Sequence, residues 1–219
     1  MSDSEDQINY QVLWRAAEKL VSPQPVLRDE GLDYLFNEGV FSNSPLAAFL
    51  LATRITDDDL EVRFHAIQYL GSLLDFEGSK NGVFTDQPLK YVHSYLLGFG
   101  ENQIAQMLEV AEAYFSAENA IVNILKICSY AGILLSGIVN DRKKPPYLRR
   151  KAVYFSGEIG LVEMVPVLEN LILRIEKNRT RPDRALSSSL KKEEEELYTE
   201  AVVALDKMKS DLAIGKTKS

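Results

Sequence analysis

Apolar residues recur at spacings of three and four along nearly the whole chain, and no stretch alternates with a period of two. Val12, Leu13, Ala16, Ala17 and Leu20 mark a first helix, which stops near Ser22-Pro23. Val26, Leu27, Leu32, Leu35 and Phe36 mark a second, ending near Gly39. Ser44-Pro45 reads as an N-cap followed by proline at the first helical position, opening a third helix through about residue 55. Asp57-Asp58-Asp59 is expected to cap a fourth, running to about residue 74, with its carboxylates at the positive end of the helix dipole.

Gly78, Ser79, Asn81 and Gly82 make residues 76–86 a loop. A fifth helix is expected from about 86 to 97, and a sixth from about 102 to 115 after Gly98-Phe99-Gly100. The apolar run that follows predicts a single long helix over 119–139. Lys143-Lys144-Pro145-Pro146 separates it from an eighth helix over 147–159. A ninth starts near Glu163, where Pro166 is tolerable because it falls in the first turn. Residues 180–189 read as a second loop, the last helix spans about 190–212, and 213–219 is expected to fray. The pattern predicts about ten helices and no strand.

Several of these segments repeat one another. Glu61-Val62-Arg63-Phe64-His65-Ala66-Ile67-Gln68-Tyr69-Leu70-Gly71 aligns with Tyr147-Leu148-Arg149-Arg150-Lys151-Ala152-Val153-Tyr154-Phe155-Ser156-Gly157, an offset of 86 residues. Leu27-Arg28 precedes Val62-Arg63 by 35, and a weaker echo around Ala201 follows Ala152 by 49. A period of roughly 35 to 49 residues with two helices per unit is the mark of stacked helix hairpins. The small residues Ala66, Ala152 and Ala201 let helices approach closely. An arginine one turn earlier is placed to reach the acidic turn of a neighbouring repeat. The expected architecture is an α-solenoid of about five helix pairs, one domain over residues 1–212.

Arg149 through Leu171, with Gly157-Glu158-Ile159-Gly160 and Val165-Pro166-Val167-Leu168, resembles the HEAT repeats of the bacterial phycobilin-lyase type. The match is good over this repeat, fair over 57–74 and poor over 100–140. The resemblance implies a helical solenoid and, for most relatives, protein–protein interaction; it does not carry lyase activity across.

Charge changes the picture. The net charge is −7, but residues 1–140 carry −11, residues 141–184 carry +5 and residues 185–219 carry −1. The basic excess is concentrated in Arg142, Lys143, Lys144, Arg149, Arg150 and Lys151, followed by Lys177, Arg179, Arg181 and Arg184. This is an anion-facing surface suited to an acidic protein or to phosphates. It is balanced against the plainer reading of a solvated loop. A net charge of −7 and a pI near 5.0 disfavour nucleic acid. The acidic part of a second copy is another candidate partner. Second helices of the pairs are expected to line a concave face, which adds Lys90, Tyr91, Lys126, Tyr130 and Arg174 as contact candidates, tyrosine and arginine being the types that dominate interface energy.

Little else points to chemistry. Two histidines, His65 and His93, and a lone Cys128 give neither zinc-type ligand spacing nor a disulfide. No phosphate loop, GxSxG elbow or calcium loop is present, and no cofactor or metal is expected. The acidic N-terminal residues lack a signal peptide's pattern, so a cytoplasmic protein without a membrane span is expected. Glu193 to Glu196 read as carboxylates favoured near a helix N-terminus. The leading expectation is a non-enzymatic interaction scaffold or adaptor. A nucleic-acid-binding protein using residues 142–184 is the alternative, and a tetrapyrrole lyase-like or chaperone activity with an apolar pocket near Cys128 or Tyr130 is a third.

Overall fold

The structure is a computed structural model that describes residues 10–38, 44–74, 92, 94–179 and 188–216 of the 219 in the chain. Ten α-helices have described bounds, residues 92 and 94–96 belong to a further helix, and no strand is present among the described residues. The ten are α1 (Tyr10–Leu20), α2 (Pro25–Asn37), α3 (Pro45–Thr53), α4 (Leu60–Leu73), α5 (Glu101–Ala113), α6 (Glu118–Ile127), α7 (Ala131–Asn140), α8 (Pro146–Ile159), α9 (Val165–Arg179) and α10 (Ser188–Lys216). Short 3-10 turns extend α3 and lead into α6 and α9. The chain divides into two compact units, Met1–Cys128 and Ser129–Ser219, where the repeat pattern alone predicts one domain over 1–212. The fifth helix expected at 86–97 and the loop expected at 180–189 lie mostly outside the described residues.

Helix starts follow their capping chemistry. The Ser44 hydroxyl accepts from the Ala47 N–H at 3.3 Å, and Pro45 opens α3. Asp59 caps α4 by accepting from the Glu61 and Val62 N–H groups at 3.0 and 3.2 Å. Asp57, expected to share that capping role, has a different one. Its buried carboxylate accepts two hydrogen bonds from Arg28 Nε and one from Arg28 Nη2, at 2.6 to 3.1 Å. It also braces the turn by accepting from the Asp59 N–H at 3.0 Å.

In the first unit α4 is the central element, packed against α2 on one side and α5 and α6 on the other. Its Ala66, Ile67 and Leu70 are fully buried. Polar rungs cross the α2–α4 contact: His65 Nδ1 lies 2.5 Å from Asp29, and the Tyr69 hydroxyl donates to Asp33 beneath a stacked Phe36 ring. Arg28 reaches the acidic turn before the next repeat, as the periodicity predicts, whereas Arg63 pairs with Glu109 in the middle of α5 at 3.0 Å.

The single helix expected over 119–139 is two helices. Cys128 turns to extended backbone (φ −69°, ψ 103°) after its N–H is shared between the Ile124 and Leu125 carbonyls. No glycine or proline marks this break. Packing sets it: Ile121, Ile124 and Leu125 are buried in α6, which packs on α4, while Leu135, Ile138 and Val139 are buried in α7, which packs on α8.

The second unit is built on α8, which packs against α7 and α10, with α9 against α10. α8 ends on Gly160 at φ 71°, the left-handed position that glycine takes without strain. The terminal helix is longer than expected: residues 213–216, predicted to fray, continue α10. No proline interrupts α10, and Leu197, Ala201, Ala204 and Met208 give it a buried stripe at helical spacing.

The repeated segments make the same contact in each unit. A Cβ on Gly71 of α4 would fall inside Ala120 of α6, and one on Gly157 of α8 would lie 2.9 Å from the Cα and Cβ of Ala204 of α10. Gly71 and Gly157 thus mark close helix contacts, and Ala66 and Ala152 on the same helices are fully buried. Among the described residues, no single helix is long and apolar enough to cross a membrane.

Candidate functional site

The turn between α7 and α8 places the basic run of the second unit. Asp141 holds it, its carboxylate accepting from the Lys143 N–H at 2.9 Å and its carbonyl from the Lys144 N–H at 3.2 Å. Pro145 and Pro146 then fix the backbone into the first turn of α8. One turn into α8, Arg149 donates from Nε to the Val139 carbonyl at 3.0 Å, tying its guanidinium across the end of α7.

These residues line one side of a cavity of about 430 Å³. Arg142, Lys143 and Lys144 come from the turn and Arg149 from α8. Leu171, Arg174 and Ile175 come from α9, and Glu193, Glu194 and Leu197 from α10. Its volume lies within the range of small-ligand pockets. The lining has an apolar part, Leu171, Ile175 and Leu197, all of them buried.

The charges in this cavity are not in balance. Burial lowers the pKa of Arg149, and the neighbouring positive charges of Arg174 and Arg142 lower it further. Arg174 is lowered by the same two effects, burial first and Arg142 next. Glu194 opposes both shifts. Yet among the described residues no ion pair links Glu194 to either arginine, and neither Arg142 nor Arg174 has an ion-pair or hydrogen-bond partner. An arginine keeps its charge through shifts of this kind, so the cavity holds cations that repel one another, opposed by the Glu194 and Asp141 carboxylates without being paired to them.

Other members of the basic cluster are diverted. Arg150 pairs with Glu196 at 2.5 Å. Arg179 pairs with Glu195 at 2.6 Å and lies over the Tyr198 ring, 4.0 Å from its centroid. Lys151 Nζ sits over the Tyr154 ring at 5.5 Å. Lys177 lies exposed near the end of α9. Glu195 and Glu196 are thus counter-charges, not capping groups. α10 begins at Ser188, so Glu193 to Glu196 lie beyond its first turn.

The remaining candidates do not gather at this cavity. Lys126, at the end of α6, and Tyr130, which precedes α7, are both exposed. Asn123 in the first unit donates to the Gly71 carbonyl at 3.3 Å, which is a packing role. Lys90, Tyr91, His93, Arg181 and Arg184 lie outside the described residues. Cys128 is buried, and burial pushes its thiol up to about 12, away from the range of a nucleophile at neutral pH. Among the described residues no group of three or more His, Cys, Asp or Glu side chains is placed to hold a metal ion.

Sequence reasoning found the cations but not the apolar lining or the two glutamates at the rim. The available signal was the run Glu193 to Glu196, four negative charges in a region otherwise facing a +5 segment. No protein-family model, no curated protein and no solved structure matches this chain.

Proposed function

We propose that this chain is a HEAT-type helical-repeat scaffold whose second unit binds an acidic surface of another protein through the cavity at the α7–α8 turn. The observation that carries the reading is the convergence of Arg142, Lys143, Lys144, Arg149 and Arg174 around one concave site, with no ion pair or hydrogen bond to Arg142 or Arg174 among the described residues. Structural ion pairs account for Arg150 and Arg179 but leave these two guanidiniums uncommitted. Arginine is the residue type best suited to a two-point grip on carboxylate or phosphate oxygens. The solenoid element of the proposal draws support from the glycine-on-alanine helix contact that recurs in the two units at an offset of 86 residues between the glycines.

The test compares affinity capture from native host lysate by the unaltered protein and by an R142E/K143E/K144E variant, with melting curves to show that both are folded. A defined set of proteins held by the first and released by the second is the expected result. Identical captured sets would sink the reading.

A further inference from the structure

Resting on that reading, the anion that fits this site can be specified. We propose that the cavity between the α7–α8 turn, α9 and α10 is a pocket for a phosphate monoester carried on a small apolar body. Three features of the site lead there.

The first is the number and direction of donors. Arg149 spends Nε on Val139, which fixes its plane and leaves its terminal nitrogens uncommitted to any described carboxylate. Arg142 and Arg174 bring two further guanidiniums to the same cavity. A carboxylate has two oxygens and one charge. A phosphate monoester has three terminal oxygens and a charge of about −1.5 to −2 at pH 7, which satisfies several guanidiniums at once.

The second is the uncompensated charge. Glu193 and Glu194 line the same cavity, and Glu194 is near enough to act on Arg149 and Arg174, but it makes no ion pair with either. Arg149 and Arg174 are thus partly withdrawn from water close to one another and to the exposed Arg142, and among the described residues neither is paired with a carboxylate. A dianion placed among them relieves both the repulsion and the lost solvation.

The third is the apolar lining. Leu171, Ile175 and Leu197, all buried, line the cavity together with Pro145 and Pro146. The exposed apolar surface here is that of Pro145 and Pro146, which bare inorganic phosphate leaves wet and an ester with an apolar group covers. The chemistry is shared by a phosphorylated side chain of a partner protein and by a free small phosphate ester. Rim glutamates act against a long polyanion, which has to pass its neighbouring phosphates beside Glu193 and Glu194.

Calorimetric titration of the full chain with phenyl phosphate and with inorganic phosphate tests the pocket. Phenyl phosphate is expected to bind with a Kd on the order of 0.1–1 mM, severalfold tighter than phosphate. R174Q and R142Q are each expected to weaken it by about tenfold or more with unchanged melting temperature, and E194Q to tighten it severalfold. No binding of phenyl phosphate at 10 mM, or binding indifferent to R174Q and R142Q, overturns the proposal, as does a single-stranded oligonucleotide that binds more tightly than phenyl phosphate. The source is read by repeating the capture experiment with phosphatase-treated lysate. Loss of the captured set after treatment identifies a phosphorylated protein, and phenyl phosphate binding without any phosphatase-sensitive capture identifies a free ester. If capture depends on the basic turn but not on phosphatase, and phenyl phosphate does not bind, the scaffold reading survives and the pocket proposal falls.

Discussion

Asp57 and Cys128 are both buried, but Asp57 is met by a cationic partner and Cys128 by apolar surroundings. The Asp57 carboxylate is 3% exposed and takes three hydrogen bonds from Arg28, whose pKa is raised chiefly by that pairing. Arg54 also pairs with Asp57, at 3.4 Å, so removing the carboxylate leaves two guanidiniums without their counter-charge. Asp57→Ala is therefore expected to destabilise the first unit by about 3 kcal/mol, read as a shift in the urea midpoint. A change below about 1 kcal/mol would show that water reaches Arg28 freely. Cys128 works in the opposite sense. Its thiol is pushed up to about 12 by burial, against about 8.5 in an unfolded chain. Between those values the native state holds a proton that the unfolded state has lost, so stability present at neutral pH declines as the pH rises. The limiting slope is about 1.4 kcal/mol per pH unit. Wild type is expected to lose about 1.6 kcal/mol more than Cys128→Ala between pH 8.5 and 10, and its thiol to react with a disulfide reagent only after denaturation. Rapid labelling of the native protein at pH 8 would contradict the burial. Tyr69 adds a second decline further up the scale, because burial and the Asp33 carboxylate raise its phenol above the ordinary value of about 10.

Helices come together where a side chain is missing. Gly71 against Ala120 and Gly157 against Ala204 bring α4 onto α6 and α8 onto α10, and the first contact is the tighter. Gly71→Ala has to push a helix aside and is expected to cost about 2–3 kcal/mol by urea unfolding, while Gly157→Ala costs about 1 kcal/mol. Equal, small effects would mean that these helices slide apart easily. Where helices begin was readable in the chain, because caps are local chemistry: Ser44-Pro45, Asp59 and Pro146 each open a helix within a residue or two of the expected place. What the local pattern missed was set by distant partners. The break at Cys128 contains no breaker, and its two apolar halves were indistinguishable from one helix until their burial sites were known. The same holds for the site. Its cations stood out as a run, but only the packing of α9 and α10 decides that Arg174 joins Arg149 while Arg150 and Arg179 turn to Glu196 and Glu195.

Across the whole chain, the net charge and the charge of the cavity have opposite signs, and distance decides which one a ligand feels. At physiological ionic strength the screening length is about 8 Å, shorter than the span of any long polyanion but longer than the reach from Arg174 to a group seated in the cavity. A small dianion therefore meets the three arginines, whereas a long polyanion also meets the averaged field of a molecule carrying −7. The protein is expected to be retained by an anion exchanger at pH 7.5 and to pass through heparin at 150 mM salt, even though phenyl phosphate still binds under the same conditions. Retention on heparin beyond about 0.3 M salt would show that the basic face dominates at long range, and would move the balance toward nucleic acid as the natural ligand. The discriminating variant is again Glu194→Gln. If the cavity acts locally, this change tightens phenyl phosphate binding severalfold and leaves heparin elution where it was, because one charge in −7 scarcely alters the distant field while it removes the nearest competitor of the bound anion.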